Sequence, residues 1–136
     1  MAISDKSGLP VSIVLAAANP HEVRLVEETL ASRFTKKIPE VLIGDRAYDS
    51  DKLDGLLRKR FRVRLVAPHK LNRIRPQTQD GRELRRYRRR WKAERLNAWL
   101  KNYRKLAVRY ERKSINFLHF AYLAVMLILL RNYFSN

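Results

Sequence analysis

The sequence predicts an α/β fold, a mixed sheet flanked by helices, and three observations carry that expectation. Short apolar runs rich in β-branched residues alternate with segments of helical period. Hydrophobic residues make up 46% of the 136, enough for a core in a chain of one-domain length. Only four Gly and five Pro occur, which excludes a wholly disordered basic tail.

Taken in order, residues 11–18 (VSIVLAAA) read as a buried strand, and Ala2–Ser4 as the first arm of a hairpin turned by Asp5, Lys6, Ser7 and Gly8. Asn19, Pro20 and Glu22 form a helix start, with an N-cap side chain, a proline at the first helical position and an acid three residues after the cap. That helix is expected to reach about Arg33. EVLIG at 40–44 is a second buried strand, which delivers Asp45 to its carboxyl end, where open α/β sheets place functional groups. Ser50 or Asp51 caps a helix to about Lys59. RVRLVA at 62–67 alternates basic and apolar residues, as an edge strand with one wet face would. Pro68 ends it, and the polar stretch from there to Gly81 is the nearest approach to a break. From Asp80 to about Tyr110 the period is helical, and 117–133 is a second, far more apolar helix. Its 14-residue run FLHFAYLAVMLILL is shorter than the roughly 18 to 20 residues that span a bilayer, so a buried core helix is expected and a membrane is not.

The formal charge of +17 comes from 30 Lys and Arg against 13 Asp and Glu, and it is unevenly spread. Residues 1–57 hold 7 basic and 9 acidic side chains, whereas 58–113 hold 22 and 4, so the second half carries +18 and should face an anionic partner. The chain has no cysteine, which excludes a disulfide framework, a thiolate zinc site and a cysteine nucleophile, and fits a reducing cytoplasm. Met1 to Ser12 lacks the basic-then-apolar pattern of a signal peptide.

Two carboxylates stand out. Asp45 ends an apolar strand, and Glu94 is the sole acid between Glu83 and Glu111 in an arginine-crowded stretch, hence either a salt-bridge partner or a metal ligand. At about 100° per residue, Tyr87, Arg90, Glu94 and Lys101 fall within one helical stripe about 20 Å long, with Leu96, Trp99, Leu100 and Tyr103 on the far side. A solvated face with scattered charges has the same periodicity. Trp91 lies near the Tyr87 stripe and is a candidate for base stacking, while Trp99 belongs to the apolar face.

At these residues the sequence resembles a family. The spacing of Tyr87, Arg90, Glu94 and Lys101 is similar to the tyrosine-arginine-glutamate-lysine signature of DDE transposases of bacterial insertion sequences. IGDRAYDSD (Ile43 to Asp51) resembles the block around that family's second catalytic aspartate, and RRYRRRWKAERLNAWLKNYRKLAVRYE (Arg85 to Glu111) its glutamate block. The resemblance covers nearly the whole chain, read as a single partial catalytic domain over 1–136. It implies a ribonuclease-H-like fold whose acidic residues hold two divalent ions, usually magnesium, for phosphodiester hydrolysis and strand transfer. By resemblance Asp45 and Glu94 are catalytic metal ligands, and Tyr87, Arg90 and Lys101 hold the DNA strand, double-stranded transposon ends being the partner. A homo-oligomer, or an upstream transposase segment, is a further implied partner.

One departure from the family pattern matters. The family's first aspartate lies on a strand preceding the hairpin with which this sequence opens, so the sheet is expected to lack its first strand and the triad its first member. Asp5 falls in a turn, and Asp49 and Asp51 read as helix-cap groups. The polypeptide is therefore expected to be inactive alone, and a non-enzymatic DNA-binding remnant that occupies transposon ends or inhibits the full-length enzyme is the competing reading. His21 and His119 read as a helix-entry and a core-facing histidine, neither having a second ligand at helical spacing.

Overall fold

The computed structural model describes residues 1–16, 22–79 and 81–135. Asn19, Pro20 and His21, and Asp80, on which two expected helix starts rest, lie outside the described residues.

Strand β1 (Ala2–Ser4) pairs antiparallel with β2 (Pro10–Ile13), as the hairpin reading expects. Asp5 does the turn's work: its Oδ1 accepts the backbone N–H of Ser7 at 2.8 Å and of Leu9 at 2.9 Å, and the loop closes through Gly8 at φ +83°, a conformation that L side chains resist. Helix α1 (Glu22–Ala31) packs on this hairpin. Buried Ser12 donates to the Thr29 carbonyl at 2.6 Å, tying β2 to α1. Strand β3 (Val41–Ile43) runs parallel to β4 (Arg64–Val66), joined by helix α2 (Asp51–Phe61). Ser50 caps α2 by accepting the Leu53 N–H, and Arg62, in the left-handed region at φ 57°, ends it.

A single mixed sheet is not what forms. Among the described residues the strands stand as two separate pairs, one antiparallel and one parallel, and no described strand bridges them. What unites them is burial. Val26 and Leu30 of α1, Leu53 and Leu57 of α2, and Val63, Leu65 and Ala67 around β4 form one core, with Met1, Ile3 and Leu42 packed against it. Alternate hairpin residues Ala2 and Ile13 turn to a second core built by Leu96 and Leu100 with Ala124, Val125 and Ile128. The hairpin thus separates two layers of helices.

The long arginine-rich helix expected from Asp80 to Tyr110 is broken. Helix α3 (Gly81–Leu84) runs into a 3-10 segment, Arg85–Arg90, then α4 (Trp91–Lys101) and α5 (Arg104–Ala107). Five of the six residues of the 3-10 segment are arginine.

The C-terminal helix α6 (Ser114–Phe134) has 21 residues, longer than the apolar run alone, and the mean hydropathy of 1.7 over its most apolar 18 residues would suit a bilayer as well as a soluble core. The expectation of a buried core helix is corrected: only the stripe Ala121, Ala124, Val125 and Ile128 is buried, while Leu123, Met126, Leu127, Leu130, Tyr133 and Phe134 are exposed. One layer of neighbours, α4, α5 and the hairpin, can cover only one stripe of a helix apolar all round. His119 is likewise on the exposed side, not core-facing, because it falls outside that stripe.

Candidate nucleic-acid interface and carboxylate site

Asp45 follows β3 directly. Its Oδ1 accepts the Ala47 N–H at 2.8 Å and so caps the 3-10 turn Arg46–Tyr48, while Gly44 bonds back to the Val66 carbonyl at 3.0 Å and keeps the turn at the carboxyl end of both parallel strands. Gly44 is closely approached: a Cβ there would sit 3.0 Å from the Tyr48 ring.

Glu94 lies in the first turn of α4, where its carboxylate accepts from the Arg90 guanidinium. Arg90 also donates to the Tyr87 hydroxyl at 2.7 Å and stands 5.4 Å from that ring's centre. The broken helix assists this contact, since residues three apart eclipse in a 3-10 turn and bring Tyr87 over Arg90. The hydrogen bond that Arg90 donates to the Glu94 carboxylate is the main cause holding the Arg90 pKa above its ordinary value. Three of the four spaced residues thus meet on one face. Lys101 stands two turns further along α4, about 10 Å by helical rise, and takes no part in the contact. Trp91 is 51% exposed, with Arg95 4.9 Å from its ring; Arg95 also lies 4.8 Å from the half-buried Trp99. Lys92 and Arg95 donate to the Lys6 and Ser7 carbonyls, fixing α4 to the hairpin turn.

The Asp45 and Glu94 carboxylates have different hydrogen-bond partners: one accepts from a backbone amide, the other from Arg90. Among the described residues no three His, Asp or Glu gather as a metal centre. The oxygen donors have the right hardness for magnesium, but two separately engaged carboxylates are too few for a two-ion site.

A second cluster escaped the sequence reading. Asp49, taken as a cap group, instead has its side chain only 6% exposed and accepts from His69 Nδ1 at 3.0 Å, the Lys70 N–H at 2.8 Å and Arg73 at 2.8 Å. Arg73, itself 10% exposed, reaches Asp51 at 2.6 Å, and Arg75 joins Asp51 at 3.1 Å. The Thr78 N–H donates to His69 Nε2 at 3.2 Å, so the ring's proton sits on Nδ1 and points at Asp49. Burial alone would raise the Asp49 carboxyl, but the Lys70 amide, His69 and the Arg73 charge bring it below the usual carboxylate range; bonds from Arg73 and then Arg75 do the same for Asp51. The partners lie 20 to 24 residues away in sequence, beyond any local pattern.

A family model described as a transposase DDE domain matches residues 1–129. A candidate transposase for insertion sequence element IS402 of Burkholderia cepacia is 30% identical over 120 residues, which cover 82% of this chain and 53% of the relative. The chain therefore spans about half the length of that relative. No solved structure matches. With both sequence blocks and nearly the full length inside the matched region, the chain belongs to the transposase DDE domain family of bacterial insertion sequences.

Proposed function

We propose that the chain forms the C-terminal part of a transposase catalytic domain, with a ribonuclease-H-like arrangement, and acts in the cytoplasm on the double-stranded ends of an insertion sequence. The observation that carries this reading is the linked set Tyr87, Arg90 and Glu94, whose spacing resembles the family signature and whose side chains touch on an exposed, strongly basic face. Asp45 and Glu94 are assigned as two carboxylate ligands for magnesium. Arg90, Lys101, Tyr87 and Trp91 are assigned to the DNA strand, the cations through phosphate and the aromatics by stacking. Two carboxylates do not make a two-ion site, so the 136-residue polypeptide is inactive unless a third is supplied, by an upstream transposase segment or by a second copy in a homo-oligomer.

The net charge of +18 over residues 58–113 suits a second reading equally, a DNA-binding remnant that occupies transposon ends or inhibits the full-length enzyme. Duplex titrations between about 50 and 200 mM salt test the DNA contacts: Arg90→Ala and Lys101→Ala should each shallow the log-log slope by about 0.9. Glu94→Gln should bind DNA equally or more tightly and abolish any cleavage restored by an added upstream segment. Cleavage restored equally by wild type and Glu94→Gln would remove Glu94 from the chemistry. Magnesium-dependent cleavage by the unaided polypeptide would refute its incompleteness.

A further inference from the structure

The loop from β4 to α3 carries a feature that neither the carboxylates nor the signature face explains. Its tip presents Leu71, 91% exposed, and Ile74, 100% exposed, while hydrogen bonds tie down the residues around them. Asp49 holds His69, Lys70 and Arg73; Arg73 also donates to the Pro76 carbonyl at 3.2 Å; Gln79 spans from the Ala67 N–H to the Leu65 carbonyl. A loop anchored at six points yet showing two aliphatic side chains wholly to water is shaped to offer them to something else. Residues 68–79 include three basic side chains and no acid, and Lys52, Lys70, Arg73 and Arg75, with Asp49 and Asp51, help line a cavity of about 380 Å³ beside the tip.

Its position follows from topology. Strands β3 and β4 are parallel, so this loop leaves the same end of the sheet as Asp45, and Asp49, four residues beyond Asp45, is its main anchor. Whatever polyanion lies across Asp45 meets the loop.

We propose that this loop is a wedge: Leu71 and Ile74 enter a groove of duplex DNA and unstack a base step, while Lys70 and Arg75 hold the flanking phosphates. The inference rests on the reading of DNA as partner. Aliphatic side chains flanked by cations are the chemistry that kinks a duplex at a base step. A membrane surface is the other partner such a tip could meet, but the +18 over residues 58–113 and the loop's tie to the Asp45 end of the sheet favour a polyanion laid along the protein.

Because both side chains are solvated, Leu71→Ser with Ile74→Ser costs no core contact and the variant should melt at the wild-type temperature. Anisotropy and 2-aminopurine emission on one set of duplexes form the test. Wild type should bind and raise the emission; the double variant should bind within about threefold, since its phosphate contacts remain, without raising it. Ile74→Leu should keep the rise. Binding by wild type with no rise, or a rise retained by the double variant, overturns the wedge and leaves the DNA reading standing. No binding to any duplex overturns both. Cosedimentation with anionic phospholipid vesicles that the double variant loses, with duplex emission unmoved, assigns the tip to a membrane and overturns the wedge.

Discussion

Replacing Asp49 by alanine tests whether the loop after β4 is a built element of the fold. The change removes three accepted hydrogen bonds at once, from His69 at 3.0 Å, Lys70 at 2.8 Å and Arg73 at 2.8 Å. Bonds to a charged group contribute about 1.5 to 3 kcal/mol each, so the three together would cost roughly 5 to 9 kcal/mol if nothing relaxed. Relaxation is available: Arg73 keeps Asp51 and the Pro76 carbonyl, and the loop can open to water on its outer side. The net loss is therefore expected near 2 to 4 kcal/mol, the range in which one partner is stripped from a partly buried ion pair. A domain of 136 residues unfolds with about 0.29 kcal/mol/K at its midpoint, so the melting temperature should fall by about 7 to 14 °C. Thermal unfolding followed by circular dichroism gives the shift, and hydrogen exchange at the Lys70 and Thr78 amides shows whether the loop is where the stability went. A shift under about 2 °C with unchanged protection at both amides would refute the claim that Asp49 holds the loop.

Other perturbations follow from the same contacts. Asp49 and Asp51 have folded pKa values below their ordinary 3.8, so the stability they lend is complete above that value and is lost as pH falls through the lower folded values. Urea midpoints should drop between about pH 5 and pH 3, and drop less in Asp49→Asn; an equal drop in both proteins would mean other groups dominate acid unfolding. Gly44→Ala sets a methyl against Tyr48 and should cost about 1 to 3 kcal/mol in urea unfolding, a neutral outcome showing that Tyr48 swings away freely. Leu57→Ala, emptying a fully buried site in the first core, should cost about 2 to 5 kcal/mol, and a loss under about 1 kcal/mol would place Leu57 outside the cooperative core.

Legibility in the sequence tracked the range of the interaction. The hairpin with Asp5 at its turn, the Ser50 cap, and Asp45 just past the EVLIG strand are settled within about five residues by turn chemistry and capping, and each is found where the sequence puts it. The contact of Tyr87, Arg90 and Glu94 was also local, although the route to it differed, because a 3-10 segment and not a continuous helix aligns the first two. Trp99 and Leu96 were legible as apolar-face residues, since helical period alone separates the two sides of α4. Asp49 was not: its partners arrive only when β4 lies parallel to β3 and carries His69 and Arg73 back over the start of α2.

By itself, then, the sequence determined the order of the strands and first helices, the acidic and basic halves, and the place of Asp45 at the carboxyl end of a strand, because these depend on near neighbours and on composition. Tertiary structure alone decided that the strands form two pairs and no single sheet, that α6 buries one stripe and leaves the rest exposed, and that Leu71 and Ile74 are lifted into solvent on a pinned loop. Those outcomes depend on which surfaces distant segments bring to cover one another, and burial is a property of the assembled layers that no local pattern encodes.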